Sequence, residues 1–270
     1  MDNEGGADMA TACVTGATAG IGRAFAFALA ARGLDLVLVA RDGERLSSVA
    51  GEIRDRFAVT ADVLAADLSD PTQRRVVEDR LSDRSHPVSV LVNNAGFGLR
   101  TPFLRTDVED EQRSIDVLVT AVMRLTHAVL PGMVERNFGI VFNISSVAGW
   151  ITGGTYSAAK AWVTVFSESL AAEFAGSGVR VVAVCPGFTR TEFHERAGID
   201  MSEVPSWLWL DADAVVARAL RDAAIGQPLS VAGPVYQALS TALRMMPRSL
   251  VRRAGRFRRS SARFGRREAD

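Results

Sequence analysis

The chain has 270 residues, 48% of them hydrophobic, and its 31 basic side chains balance 31 acidic ones. That length and apolar share suit one large α/β domain with a sizeable core, two small domains being the weaker reading. Two cysteines, an acidic Met1-Asp2-Asn3-Glu4 start and the lack of any run of 18 apolar residues argue against a disulfide framework, a secretory leader and a spanning helix. A cytoplasmic protein in a reducing compartment is the expectation, with Cys13 and Cys185 inside buried strands. The charge is uneven: from residue 244 onward ten arginines face only Glu268 and Asp270, so that end carries +8 and the rest −8.

Residues 10–15 read as a short apolar strand. Gly16-Ala17-Thr18-Ala19-Gly20-Ile21-Gly22 follows, then an alanine-rich helical stretch to Arg32. Strand, glycine turn and helix form the context a dinucleotide site requires. The glycines let the backbone turn tightly and approach a pyrophosphate at the positive end of the helix. The spacing is G-x-x-x-G-x-G rather than G-x-G-x-x-G, and alone such a loop is equally a structural turn.

Gly33 closes the helix, and residues 34–40 make a second buried strand. An acidic side chain at its end would bond a ribose 2′-hydroxyl and select NAD. Ala40-Arg41 stands there instead, and arginine suits the 2′-phosphate of NADP. The plainer reading of Arg41 is a solvated charge opening a helix over 43–56. Residues 59–68 give a third strand ending in Asp67-Leu68. Asp67 accepts from an adenine amino group, caps the helix over 71–84, or does both. A strand over 88–92 runs into Asn93-Asn94-Ala95-Gly96, where the small Ala95-Gly96 pair lets a ligand lie against the backbone. A helix over 107–136 and a strand over 139–143 lead to Ser145-Ser146.

Tyr156-Ser157-Ala158-Ala159-Lys160 comes next. Lys160 is the only lysine in the chain, and Tyr156 is one of two tyrosines. On a helix, positions i and i+4 share a face. A phenol near pKa ~10 is a poor acid or base at neutral pH, but a cation nearby favours the phenolate. A surface lysine on an amphipathic helix is the bland alternative.

Residues 179–185 form a sixth strand ending in Cys185-Pro186-Gly187. The segment 188–210, with Phe188, Phe193, Trp207 and Trp209, either lines an apolar pocket together with Trp150 or packs a lid onto the core. His194 on it reads as a surface histidine. Asp211 is placed to cap a helix over 212–225, and residues 229–232 make the last strand. From Pro234 an amphipathic helix runs to about Met246, with Tyr236, Leu239, Leu243 and Met246 at helical spacing. The arginine-rich end, with Phe257 and Phe264, contacts anionic lipid or nucleic acid or is a solvated extension. No nucleic-acid-binding motif accompanies it, so no nucleic-acid partner is expected.

With the glycine loop, Asn93-Asn94-Ala95-Gly96, Ser146, Tyr156-x-x-x-Lys160 and Cys185-Pro186-Gly187 in this order, the chain resembles the short-chain dehydrogenases/reductases over roughly residues 9–195. The resemblance implies an α/β, Rossmann-like, doubly wound sheet of seven parallel strands with helices on both faces, and hydride transfer between a nicotinamide and an alcohol or carbonyl carbon. It implies Tyr156 as general acid/base, Lys160 as a ribose ligand that lowers the phenol's pKa, and Ser146 as a donor to the substrate oxygen. The cofactor residues it implies are Gly16, Thr18, Ala19, Gly20, Ile21, Gly22, Arg41, Asp67, Leu68, Asn94, Ala95, Gly96, Tyr156, Lys160, Pro186, Gly187, Thr189 and Thr191, with no metal.

Two departures stand out. Leu118 falls where the family carries an asparagine that completes a proton relay with the lysine. Ser146 precedes Tyr156 by ten residues where about thirteen is common, with Ser145 as the fallback.

These readings combine into residues 1–8 as a flexible start, 9–247 as one domain with 188–227 as substrate loop and lid, and 248–270 as an arginine-rich extension. The expected function is an NADP(H)-dependent oxidoreductase, NAD(H) being second choice, acting on a hydrophobic alcohol or ketone, lipid- or steroid-like. A homodimer or homotetramer and a peripheral membrane contact through the arginine-rich end complete the expectation. The competing reading, supported by Leu118, is a nucleotide-binding regulatory or scaffold protein with weak or lost catalysis. A lyase or epimerase would want further acid or base groups near Tyr156.

Overall fold

The computed structural model describes residues 10–99, 101–193, 204–247 and 249–251. Its strands are β1 (Thr11–Thr15), β2 (Asp35–Ala40), β3 (Ala61–Ala65), β4 (Val88–Asn93), β5 (Gly139–Ile144), β6 (Val179–Val184) and β7 (Leu229–Ser230). All pair in parallel in one sheet, in the order β3-β2-β1-β4-β5-β6-β7. The central strands are near-continuous apolar runs because both faces are covered.

Helices α1 (Gly20–Ala30), α2 (Gly43–Arg56) and α7 (Ala212–Ala224) bury Phe25, Leu46, Ile53, Val216 and their neighbours on one face. Helices α3 (Pro71–Ser82) and α5 (Ala121–Glu135) bury Val77, Leu81, Leu125 and Met133 on the other, joined there by Leu170 of α6 (Gly154–Glu173). A buried polar chain fixes the middle of that face. Asn93 donates to Asn143 and Thr126, and Asn143 donates to Ser167 on α6. The doubly wound α/β expectation holds.

Boundaries differ by a residue or two from the sequence pattern, with larger differences at two places. The third strand is shorter than 59–68. The helix expected over 107–136 is α4 (Val108–Ile115), a π-turn over Asp116–Thr120, and then α5. Val108–Glu135 is long and apolar enough to cross a bilayer, but 56% of its most apolar window is buried inside the protein, as befits a core helix pair.

Asp67 does not cap α3. Asp70 does, accepting from the Thr72 and Gln73 amides with Pro71 in the first turn. Asp211 occupies the N-cap position of α7 without a capping bond and lies 3.7 Å from Arg190 instead. Helix α8 (Pro234–Met245) buries Tyr236 and Ser240 and exposes Leu239, so the expected stripe is not the packed face.

Candidate active site

In this strand order the chain reverses direction across the sheet between β1 and β4, and the crevice above their C-terminal ends is where a doubly wound sheet binds ligands. Gly16 and Gly20 sit there at φ +65° and +55°, a region that costs other residues strain. Helix α1 starts after Ala19 with no side-chain cap and no acidic residue in its first turn. Its leading amides thus point at the crevice without a side-chain acceptor, as an anion site requires. Gly22 has no room for a methyl group: a Cβ would fall inside contact with the Gly16 carbonyl oxygen and Asn94 Nδ2.

Asn94 closes the cradle from β4. Its Nδ2 donates to the Thr15 and Gly16 carbonyls at 3.0 and 3.1 Å. Thr15 Oγ1 accepts from the Asn94 and Ala95 amides at 2.9 and 3.0 Å and donates to the Val92 carbonyl at 3.3 Å. Thr15 therefore stitches the two halves of the crevice together. Sequence reasoning missed it, and the available signal was a hydroxyl ending an otherwise apolar strand.

At the ends of the adjacent strands β2 and β3, Arg41 and Asp67 lie 3.9 Å apart. Asp67 Oδ1 also accepts from the Ser69 amide and hydroxyl. Arg45, in the first turn of α2, grips Glu192 with two bonds of 3.1 and 2.8 Å across 147 residues. That link between the glycine-crevice side and the segment after β6 has no signature in the sequence.

Ser146, Tyr156 and Lys160 converge beyond β5. The three-residue shortening between Ser146 and Tyr156 is absorbed by a tight turn over Val147–Trp150 and by Gly154 at φ +78°. Ser146 Oγ accepts from the Ala148 amide at 3.1 Å and donates to the Pro186 carbonyl at 3.5 Å, and it stands near enough to the Tyr156 phenol to favour its ionised form. Ser145 is fully committed elsewhere: it is buried and bonds the Lys160 carbonyl and Thr164, each at 2.7 Å. The fallback register is unnecessary.

Lys160 is buried, donates to the Ile144 carbonyl at 2.6 Å and sits 5.7 Å from the Tyr156 ring centre. Burial pushes its ammonium down to about 8. Burial also pushes the Tyr156 phenol up to about 12, against the opposing effect of Ser146. Desolvation thus dominates the phenol here, the opposite of the lowering expected from a neighbouring lysine.

Leu118 lies in the π-turn, completely buried. A Cβ built on Gly96 would stand 2.8 Å from Leu118 Cδ2 and 4.0 Å from Lys160 Nζ. Gly96, Leu118 and the ammonium therefore share one corner, and the side chain in it is apolar. π-turns inside helices concentrate at functional sites.

The residues directly after β6 reach back to the glycine loop. A Cβ on Gly20 would meet Thr191 Cγ2 at 2.7 Å, placing Thr191 over the glycine loop. Thr189 bridges to Leu210 and donates to the Gly187 carbonyl at 3.1 Å. Tyr236 of α8 lies flat against Gly187, accepts from the Phe188 amide at 3.0 Å and donates to the Leu208 carbonyl at 2.8 Å. This second tyrosine, given no site role in the sequence, ties Phe188 to Leu208.

Phe193 lies tilted beside Tyr156 with ring centres 5.7 Å apart, while Trp209 packs on Phe188 at 6.0 Å and Trp150 shares an apolar cluster with Phe188. Trp207 is 67% exposed. The aromatics therefore divide between lining and packing. His194 lies outside the described residues. Among the described residues no group of three or more His, Cys, Asp or Glu side chains could hold a metal ion.

Comparison with known proteins follows the same outline. The model of the short chain dehydrogenase family matches residues 10–201. A very-long-chain 3-oxoacyl-CoA reductase from Anas platyrhynchos is 40% identical over 192 residues, 68% of this chain and 61% of that protein. The chain thus spans about three fifths of that relative's length. A 3-oxoacyl-[acyl-carrier-protein] reductase from Synechocystis is 38% identical over 83% of this chain and 86% of its own. A short-chain dehydrogenase from Sphingobium yanoikuyae in complex with NADPH superposes with a TM-score of 0.79 at 33% identity, covering 97% of this chain and 98% of that one.

Proposed function

The chain belongs to the short-chain dehydrogenase family, and from that premise we propose that it is an NADP(H)-dependent oxidoreductase acting on a hydrophobic alcohol or ketone. The observation that carries the reading is the Ser146–Tyr156 hydroxyl pair with buried Lys160 beside it, next to a crevice whose helix N-terminus has no side-chain cap. The glycine turn suits a dinucleotide: Gly22 lies against the Gly16 carbonyl and Asn94 Nδ2 with no room for a side chain of its own, which supports close approach of a pyrophosphate to the backbone.

In this reading Gly16, Thr18, Ala19, Gly20, Ile21 and Gly22 hold the pyrophosphate. Arg41 takes the 2′-phosphate, and Asp67 with Leu68 flanks the adenine. Asn94, Ala95 and Gly96 support the middle, while Pro186, Gly187, Thr189 and Thr191 line the nicotinamide half. Bound there, the nicotinamide supplies or accepts the hydride. Tyr156 delivers the proton to, or removes it from, the substrate oxygen. Ser146 donates to that oxygen where charge develops. Lys160 holds a ribose and, charged below about pH 8, favours the phenolate once its neighbourhood is filled.

Residues 9–247 act as one catalytic unit with 188–227 as its lid. The names of the acyl relatives favour a 3-oxoacyl thioester among hydrophobic ketones, and a cytoplasmic setting suits the two buried thiols. Leu118 favours a second reading, a nucleotide-binding regulator with weak turnover, because it offers no hydrogen bond to a relay water beside Lys160.

Fluorescence titration of wild type and Arg41→Ala with NADPH and NADH tests the cofactor assignment. Tight NADPH binding that weakens at least tenfold in the variant supports it. Preference for NADH overturns the role of Arg41, and absence of binding by either overturns the proposal.

A further inference from the structure

The loop between β3 and α3 is held by side chains rather than by the sheet. The Ala66 amide still bonds the Ala40 carbonyl of β2 at 2.9 Å, and beyond it helix α3 takes over. Gln73 Oε1 accepts from the Asp67 amide at 2.9 Å, and Arg74 Nη1 donates to the Leu68 carbonyl at 2.9 Å. Asp67 and Leu68 are thus fixed from the first two turns of α3.

Arg74 is a costly anchor. Its side chain is only 8% exposed, and among the described residues its Nε has no hydrogen-bond partner. Glu78, 7% exposed and one turn along α3, stands 3.6 Å from that Nε and balances the charge. Arg124 of α5 grips Glu78 in turn with two bonds of 2.5 and 2.7 Å. That hydrogen bonding holds the Glu78 carboxyl below its ordinary range. A buried guanidinium and carboxylate add little stability over apolar side chains of the same volume. A loop carbonyl can also be satisfied by water, with no charge buried at all. Stability alone therefore gives little reason for this chain of charges.

We propose that Arg74, held through Glu78 by Arg124, is a positioning residue for the adenosine half of the cofactor site. It fixes the Leu68 carbonyl, and Gln73 the Asp67 amide, in the one geometry that receives the adenine. The inference rests on the oxidoreductase reading above, in which Asp67 and Leu68 flank that ring. Arg74, Glu78 and Arg124 act on the ligand only through the loop. Arg124 lies on the helix that leaves the π-turn carrying Leu118, so the contacts brace the adenine end of the crevice against the helix from its other end. Asp67 also stands 3.9 Å from Arg41. A loop that drifts would therefore disturb the residue assigned to the 2′-phosphate as well.

The test is calorimetric titration of the full chain with NADPH and with compounds representing its two halves, adenosine 2′,5′-bisphosphate and reduced nicotinamide mononucleotide. Arg74→Met should weaken NADPH and the bisphosphate alike by at least about tenfold, as expected for losing a hydrogen bond from a charged donor. The mononucleotide should bind as it does to wild type. Arg124→Met, at a side chain 42% exposed, should show the same pattern at about threefold or more, and it carries the test if Arg74→Met fails to fold. In the Arg74→Met background Arg124→Met should cost nothing further, because it acts through Arg74. Equal losses for both halves mark a purely structural brace and overturn the proposal. Unchanged bisphosphate affinity in folded Arg124→Met, or additive losses in the double variant, overturn it too. If wild type binds neither NADPH nor the bisphosphate, the oxidoreductase reading falls and this inference with it. If wild type binds both and the variants match it, the inference alone falls.

Discussion

Replacing Gly22 with alanine puts the account of the crevice under the sharpest strain. The new methyl would fall inside contact with the Gly16 carbonyl oxygen, which is backbone, and with Asn94 Nδ2, which is held by two bonds of 3.0 and 3.1 Å. Neither can swing away freely. Overpacking of this kind costs about 1–3 kcal/mol, and each Asn94 hydrogen bond lost adds roughly 0.5–1.5 kcal/mol. The better helix propensity of alanine in α1 returns about 1 kcal/mol.

The net is a destabilisation of roughly 1–4 kcal/mol. At about 2–4 °C per kcal/mol for a chain of this size, melting should fall by roughly 2–16 °C. Because the loop or Asn94 must move to admit the methyl, NADPH affinity should drop at least about tenfold, equivalent to 1.4 kcal/mol. Circular-dichroism melting and fluorescence titration read the two effects. Gly51→Ala is the control: it lies within α2 with nothing within 4 Å of the new Cβ, and it should be neutral or stabilising by up to about 1 kcal/mol. A Gly22→Ala variant that melts and binds NADPH like wild type would refute the cradle.

Lys160→Met probes the buried ammonium. Its pKa is pushed from 10.5 to about 8, so between those values the unfolded chain holds more protons than the folded one and this group's contribution to stability rises with pH. Wild type should therefore gain on Lys160→Met by about 2 kcal/mol between pH 8 and pH 10. Urea unfolding at pH 8 and pH 10 measures it, and a difference that stays constant or shrinks with pH contradicts the burial argument. Tyr236→Phe removes the hydroxyl that ties Phe188 to Leu208. It should cost about 1–3 kcal/mol and speed amide exchange around residues 187–210, and unchanged exchange there would deny that tie.

Much of the site was legible because its signals are local. The glycine turn, the uncapped start of α1 and the i,i+4 spacing of Tyr156 and Lys160 each follow from a few neighbouring residues, and the fold that unites them is a repeating strand–helix pattern. The sequence reading favoured Ser146 and kept Ser145 only as the fallback. What separates them is strand geometry, which turns Ser145 into the core against Thr164 and Ser146 toward the phenol.

The rest depended on long-range contacts. Thr15 looks like any strand-ending threonine until β4 lies beside it. Arg45 and Glu192 meet only after the sheet has formed. The π-turn at Leu118 is a backbone adjustment inside a sequence that reads as unbroken helix. Periodicity located α8 but not its inner side, because the packed face is chosen by Tyr236 fitting over Gly187, which no spacing encodes. The phenol's pKa followed desolvation rather than the lysine, and burial depth at that level is not written in Tyr-x-x-x-Lys.

The most direct test of the central claim is NADPH oxidation by the full chain in the presence of a long-chain 3-oxoacyl thioester, compared with Tyr156→Phe at saturating NADPH. The account predicts steady turnover by wild type and a loss of at least about 100-fold in kcat for the variant, with NADPH affinity retained. Equal turnover by the two proteins would contradict Tyr156 as the acid/base. NADPH binding with no oxidation against any hydrophobic ketone would hand the crevice to the regulatory reading.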